Sequence, residues 1–143
     1  MNRRQALSAF GAAAVGVPVL GGLAAGARPG QHTSHADHCA QACAACMIEC
    51  AKDLRHCAQQ LAAGKKEYQR CLELCLDCED LCGTCASLCY GASAKPVLEA
   101  CIQVCEACAA ECEKFPSDES MRACAKACRD CVTACRSFLG HDR

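Results

Sequence analysis

Cysteine recurs along this chain at a spacing that constrains the fold more than any other feature. Between Cys71 and Cys89 the segment CLELCLDCEDLCGTCASLC places Cys71, Cys75, Cys78, Cys82, Cys85 and Cys89 at steps of four, three, four, three and four. Such steps average about 3.5 residues, which keeps side chains on one face of an α-helix. On a helical wheel the six thiols fall within roughly 40° of their mean direction, with Leu74, Leu81 and Leu88 flanking them. At the helical rise this stripe runs for about 27 Å.

The unit C-x3-C-x2-C-x3-C occurs in four places. Cys39, Cys43, Cys46 and Cys50 form the first, with Cys57 one heptad further on. The segment above holds the second, Cys101, Cys105, Cys108 and Cys112 form the third, and Cys124, Cys128, Cys131 and Cys135 the fourth. Breakers separate them: Gly64 with Lys65 and Lys66, then Gly91 to Pro96, then FPSDES. Good helix formers fill the intervals. The pattern predicts helices over 36–63, 66–90, 95–114 and 118–139, with Pro96 near the start of the third and Ser117 or Ser120 capping the fourth. Short connections force antiparallel neighbours, so the expected fold is all-α, an up-down-up-down four-helix bundle with a cysteine-lined core. Antiparallel helices then stack the thiols in layers: Cys39, Cys89, Cys101 and Cys135; Cys43, Cys85, Cys105 and Cys131; Cys46, Cys82, Cys108 and Cys128; Cys50, Cys78, Cys112 and Cys124. Cys57, Cys71 and Cys75 close the far end, where Asp53 takes a slot that the heptad would give to cysteine.

Composition excludes several function classes. A net charge of −1 gives no electrostatic basis for a nucleic-acid or acidic-membrane partner, and aromatic residues at 3% leave little for base stacking. At 143 residues the chain suits one domain. The domain is expected over 37–139, after a polar linker over 28–36 and before a short tail over 140–143. Residues 1–27 read as a signal peptide: Arg3 and Arg4, a mildly apolar run to Ala25, and Ala25-Gly26-Ala27 as a cleavage site. Adjacent arginines before a glycine-bearing apolar run suggest the twin-arginine route, and so an exported protein, periplasmic or otherwise extracytoplasmic, with no membrane attachment once the signal is removed.

Nineteen cysteines in 143 residues must then be explained. An inert apolar core fails on number, because Val, Leu and Ala fill space without thiol reactivity. A disulfide-stabilised structural bundle fits an oxidising compartment. Helical neighbours, however, hold their Cβ atoms about 5–6 Å apart, whereas a disulfide needs roughly 3.5–4.5 Å. Metal thiolates fit better. Deprotonated cysteines in a low-dielectric core require cations, and zinc, taking four thiolates per divalent ion, would leave much of the charge uncompensated. A soft monovalent ion sharing thiolates approaches neutrality, and Cu(I) is such an ion. A thiolate-based detoxifier of zinc or cadmium is the nearer alternative. Ferredoxin and haem-attachment spacings are absent from the sequence. No nucleophile and base share a distinctive spacing, so an enzyme is not expected.

CLELCLDCEDLC, CEACAAECEKFPS and CAKACRDCVTAC resemble the copper storage proteins over about residues 36–139. The resemblance implies a non-enzymatic store of many Cu(I) ions per chain, held along the inside of the bundle by all nineteen cysteines. It also implies a homotetramer, exchange with copper donor or acceptor proteins, and a copper mouth formed by a histidine near the end of helix one with methionines nearby. LRHC supplies His56 for that role, and Met121 reaches the same end. The connection QQLAAGKKEY departs from the family pattern in having no methionine. His56 lies about 100° off the cysteine stripe, where a solvated helix surface is the alternative. His32 and His35 precede Cys39 at helical spacing and could prolong its stripe, but are assigned to the polar tail. Met47 lies beside the stripe and is expected to pack.

Overall fold

The computed structural model describes residues 34–141, and residues 1–33 with their expected signal lie outside that range. Four α-helices run through the described residues: α1 His35–Ala62, α2 Gln69–Leu88, α3 Ala94–Cys112 and α4 Glu119–His141, with a 3-10 turn, Lys66–Tyr68, leading into α2. α1 packs on α2 and α4, α3 packs on the same two, and each pair is antiparallel. This is the expected bundle.

Local chemistry sets the helix ends. Ser34 and Asp37 form a reciprocal capping box at α1, each accepting from the other's backbone N–H. His35 is therefore the first helical residue rather than part of the linker. At the other end of α1, Gly64 takes φ +87°, its N–H reaches the Leu61 carbonyl, and the Lys65 N–H reaches that of Gln60. That paired closure needs a residue at positive φ, which glycine supplies without steric cost. The cap of α4 is neither Ser117 nor Ser120. Asp118 Oδ1 accepts from the backbone N–H groups of Ser120 and Met121, which leaves the Ser120 hydroxyl free to point inward.

All nineteen cysteines are buried, and only Cys89 shows any exposure, at 2%. Leu98, Ala109, Val132 and Ala134 seal the column from the sides. Gly83 lets α2 approach α1, because a Cβ there would lie 3.0 Å from Met47 Sδ. Met47 is thus packing, as expected.

The expected layers hold between α1 and α4 and shift elsewhere. Cys39–Cys135, Cys43–Cys131, Cys46–Cys128 and Cys50–Cys124 meet at 3.6–3.8 Å between sulfurs, in the expected register. Between α2 and α3 the pairs are Cys82–Cys101, Cys78–Cys105, Cys75–Cys108 and Cys71–Cys112. Those pairs lie one heptad from the expected ones. The α2–α3 reversal is tight and centred between Gly91 and Ala92, so each α2 cysteine meets the α3 cysteine equally far along the chain from that point. Cys85 and Cys89 run past the ladder, and their thiols donate to the backbone carbonyls of Val97 and Cys85.

Candidate metal centre

Each helix contributes one stripe, and the antiparallel packing interleaves the four stripes into a continuous sulfur column. Sulfur bridges even the diagonals that the backbones do not: Cys46 Sγ lies 4.0 Å from Cys105 Sγ, and Cys75 Sγ lies 3.9 Å from Cys124 Sγ. Sets of four thiols converge so that all Sγ atoms in a set lie within 4.8 Å of one another. Cys43, Cys101, Cys131 and Cys135 make one set; Cys46, Cys50, Cys78 and Cys128 make another; Cys75, Cys108, Cys112 and Cys124 make a third. The sets overlap. Cys46 also belongs with Cys78, Cys82 and Cys105, while Cys50 and Cys128 also belong with Cys108 and Cys124.

Overlap matters chemically. With four thiolates to each divalent ion, zinc in these sets would leave much of the thiolate charge uncompensated. Ions that accept bridging thiolates can occupy the whole column, and Cu(I) is soft and suited to sulfur. Burial pushes the thiols up, whereas hydrogen bonds from neighbouring thiols favour the thiolate at alternate positions. Thus Cys101 pushes Cys131 up but the thiols of Cys105, Cys135 and Cys43 outweigh it and hold Cys131 below the usual thiol range, and those of Cys135 and Cys43 do the same for Cys39. A column of this kind releases protons as metal enters.

Asp53 occupies the cysteine slot near the Cys57 end and is fully buried. Its Oδ2 accepts from the thiols of Cys75 at 3.4 Å and of Cys71 and Cys112 at 3.6 Å, while Ser120 Oγ donates to Oδ1 at 2.7 Å. Burial raises its carboxyl to about 7 against the Ser120 hydrogen bond. Met121 is buried beside it, its thioether 3.7 Å from Cys71 Sγ and 3.9 Å from Cys57 Sγ. Met121 therefore lies where the sequence reading put it.

His56 does not join the thiols in that way, nor is it simply solvated. Its Nε2 lies 2.6 Å from Asp118 Oδ2, which also accepts from the Tyr68 hydroxyl at 3.0 Å. Tyr68 in turn packs edge-on to His56 and against Phe115. Asp118 was missed as a functional residue because its cap and its two side-chain partners come from three different segments. The sequence offered only an acidic residue in a breaker.

Residues 31–140 match the copper storage protein family. Solved structures agree. The chain is 30% identical to the copper storage protein Ccsp from Streptomyces lividans loaded with 10 copper equivalents, at a TM-score of 0.68, covering 74% of this chain and 84% of that one. A second structure, of a cytosolic copper storage protein from Streptomyces lividans loaded with five coppers, matches with the same identity and TM-score over 92% of its length. No curated protein matches the sequence. The description of that neighbour as cytosolic overturns the expectation of export by a twin-arginine signal.

Proposed function

The chain belongs to the copper storage protein family, and we propose that it takes up many Cu(I) ions inside its bundle and holds them for sequestration, buffering or supply, as a store rather than an enzyme. The overlapping four-thiol sets carry this reading, because they favour shared thiolates over isolated sites. All nineteen cysteines are the proposed ligands. Met121 adds a thioether beside Cys57 and Cys71, and His56 is available at the same end once it leaves Asp118. Exposed Ile48 and Leu76 offer apolar contacts for the homotetramer that the family resemblance implies. Copper reaches and leaves the column by exchange with small-molecule complexes or carrier proteins.

The test is an anaerobic titration of reduced protein with Cu(I) against a competing chelator. Tight uptake of many ions per chain, approaching the cysteine count, supports storage. Uptake of one or two ions, or of none with the thiols oxidised, overturns it. Zinc should displace little of the bound Cu(I); ready displacement would instead favour a zinc or cadmium detoxifier. Light scattering tests the tetramer.

A further inference from the structure

Asp53 is the only buried charged side chain among the described residues. Its hydrogen-bond partners are the thiols of Cys71, Cys75 and Cys112 on Oδ2 and the Ser120 hydroxyl on Oδ1, and none of them is a cation. A carboxylate taken out of water calls for a positive partner. Nothing in the storage of Cu(I) requires an acid at this point, since another cysteine would simply continue the stripe.

The four atoms around Oδ2 already outline a tetrahedron. Oδ2 lies 3.4 Å from Cys75 Sγ and 3.6 Å from the sulfurs of Cys71 and Cys112. Cys71 Sγ is 3.8 Å from Cys75 Sγ and 3.3 Å from Cys112 Sγ, and Cys75 and Cys112 share a set whose sulfurs lie within 4.8 Å of one another. Zinc with bonds of about 2.3 Å to sulfur and about 2.0 Å to oxygen sets tetrahedral edges of about 3.8 Å between sulfurs and about 3.5 Å from oxygen to sulfur. The observed edges scatter around those lengths, so an ion at the centre needs only small side-chain adjustments.

Ligand chemistry selects the ion. Three thiolates exclude magnesium and calcium, which take oxygen ligands. Cu(I) is soft and gains little from a carboxylate, whereas zinc accepts both cysteine sulfur and aspartate oxygen. The set carries the same formal charge as an all-cysteine structural zinc site. Ser120 holds Oδ1 at 2.7 Å, an outer bond of the kind that fixes a ligating carboxylate and leaves its other oxygen for the metal. Met121 walls the site with its thioether 3.7 Å from Cys71 Sγ. All four ligands are buried, which suits a closed structural site rather than an open catalytic one.

We propose that Asp53, Cys71, Cys75 and Cys112 form a structural Zn2+ site, filled while the column is empty of copper. The ion joins α1, α2 and α3 directly and α4 through Ser120, pinning the copper-free bundle at the Cys57 end until copper claims those thiols. Zinc binding releases the thiol protons to solvent, and the metal keeps its charge, so no electron moves.

The test titrates the reduced, copper-free full chain anaerobically with Zn2+ against a chromophoric chelator and records zinc X-ray absorption below one equivalent. The expected first shell has one oxygen at about 2.0 Å and three sulfurs at about 2.3 Å. Asp53→Asn should weaken the first equivalent at least tenfold and leave a shell of sulfur alone, whereas Asp77→Asn, at an exposed position of α2, should bind like the parent. A four-sulfur shell in the parent, or an unchanged first equivalent in Asp53→Asn, would overturn the site. The parent spectrum needs no variant, so it decides the matter even if Asp53→Asn does not fold. A parent that takes up no zinc overturns this site and leaves the storage reading intact, because no copper enters the experiment.

Discussion

The two ends of the sulfur column use the same device at different depths. At the Cys57 end, Tyr68 is 7% exposed and its hydroxyl donates to Asp118, the cap of α4. At the Cys39 end, Tyr90 is 63% exposed and donates to Asp37, part of the capping box of α1. Each tyrosine thereby ties the neighbouring helix to a helix start. Only the Cys57 end adds a plug: Met121 over the thiols, His56 on Asp118, and Phe115 against Tyr68. The Cys39 end adds only the stacked pair of exposed histidines. The contrast teaches that the column is closed at both ends, by a buried polar network at the Cys57 end and by exposed contacts at the Cys39 end.

Copper loading should produce the largest effect on this contrast. Each ion bound at a thousandfold excess over its Kd stabilises the folded chain by about 4 kcal/mol. Hydrogen exchange of the unloaded protein should be faster at the first turns of α1 than at its last turns, and loading should erase most of that difference. Equal protection at both ends before loading would break the comparison.

Met121→Ala comes next, because it removes a fully buried side chain from the plug. A cost of about 3 kcal/mol is expected in urea unfolding of the unloaded protein, against a smaller loss for Leu139→Ala, which is only partly buried at the opposite end. Asp118→Ala should follow at about 2 kcal/mol, since it removes a helix cap and two side-chain acceptors together.

The acid limb supplies an independent check on Asp118. Burial pushes its carboxyl up, but hydrogen bonds from His56 and Tyr68 outweigh that and hold it below the ordinary 3.8. A depressed folded value means that its stabilisation is complete above the unfolded value and is lost as pH falls through the folded one. Stability of the parent should therefore drop more steeply below about pH 4 than that of Asp118→Ala, and parallel acid limbs would remove Asp118 from the account. The smallest difference is between the tyrosines. Tyr68→Phe should cost about 1 kcal/mol, whereas Tyr90→Phe should leave the melting temperature unchanged.

Much of the fold was legible because helix formation and thiol placement are local. The four stripes, their breakers and the α1–α4 register could be read from spacing alone, and Asp53 was recognisable as an acid in a cysteine slot. The α2–α3 register was not legible. It depends on how tightly the chain turns at Gly91 and Ala92, and a breaker cluster from Gly91 to Pro96 does not reveal where within it the reversal is centred. His56 carried a family role, yet its ring is claimed by Asp118, a residue remote in sequence. His35 looked like tail because the contribution of Ser34 to a capping box depends on a reciprocal bond with Asp37.

By itself the sequence determined that this chain forms helices, that each helix carries one face of thiols, and that a soft metal is the natural occupant. These follow from the helical period and from the chemistry of sulfur, neither of which needs a partner segment. Tertiary structure decided which thiols converge, which carboxylate lies among them, and where His56 and the His35–His141 pair are held. Such contacts join residues on separate helices, so they depend on the length of each reversal and on packing across the bundle. A one-heptad slide between α2 and α3 preserves every stripe and exchanges every partner.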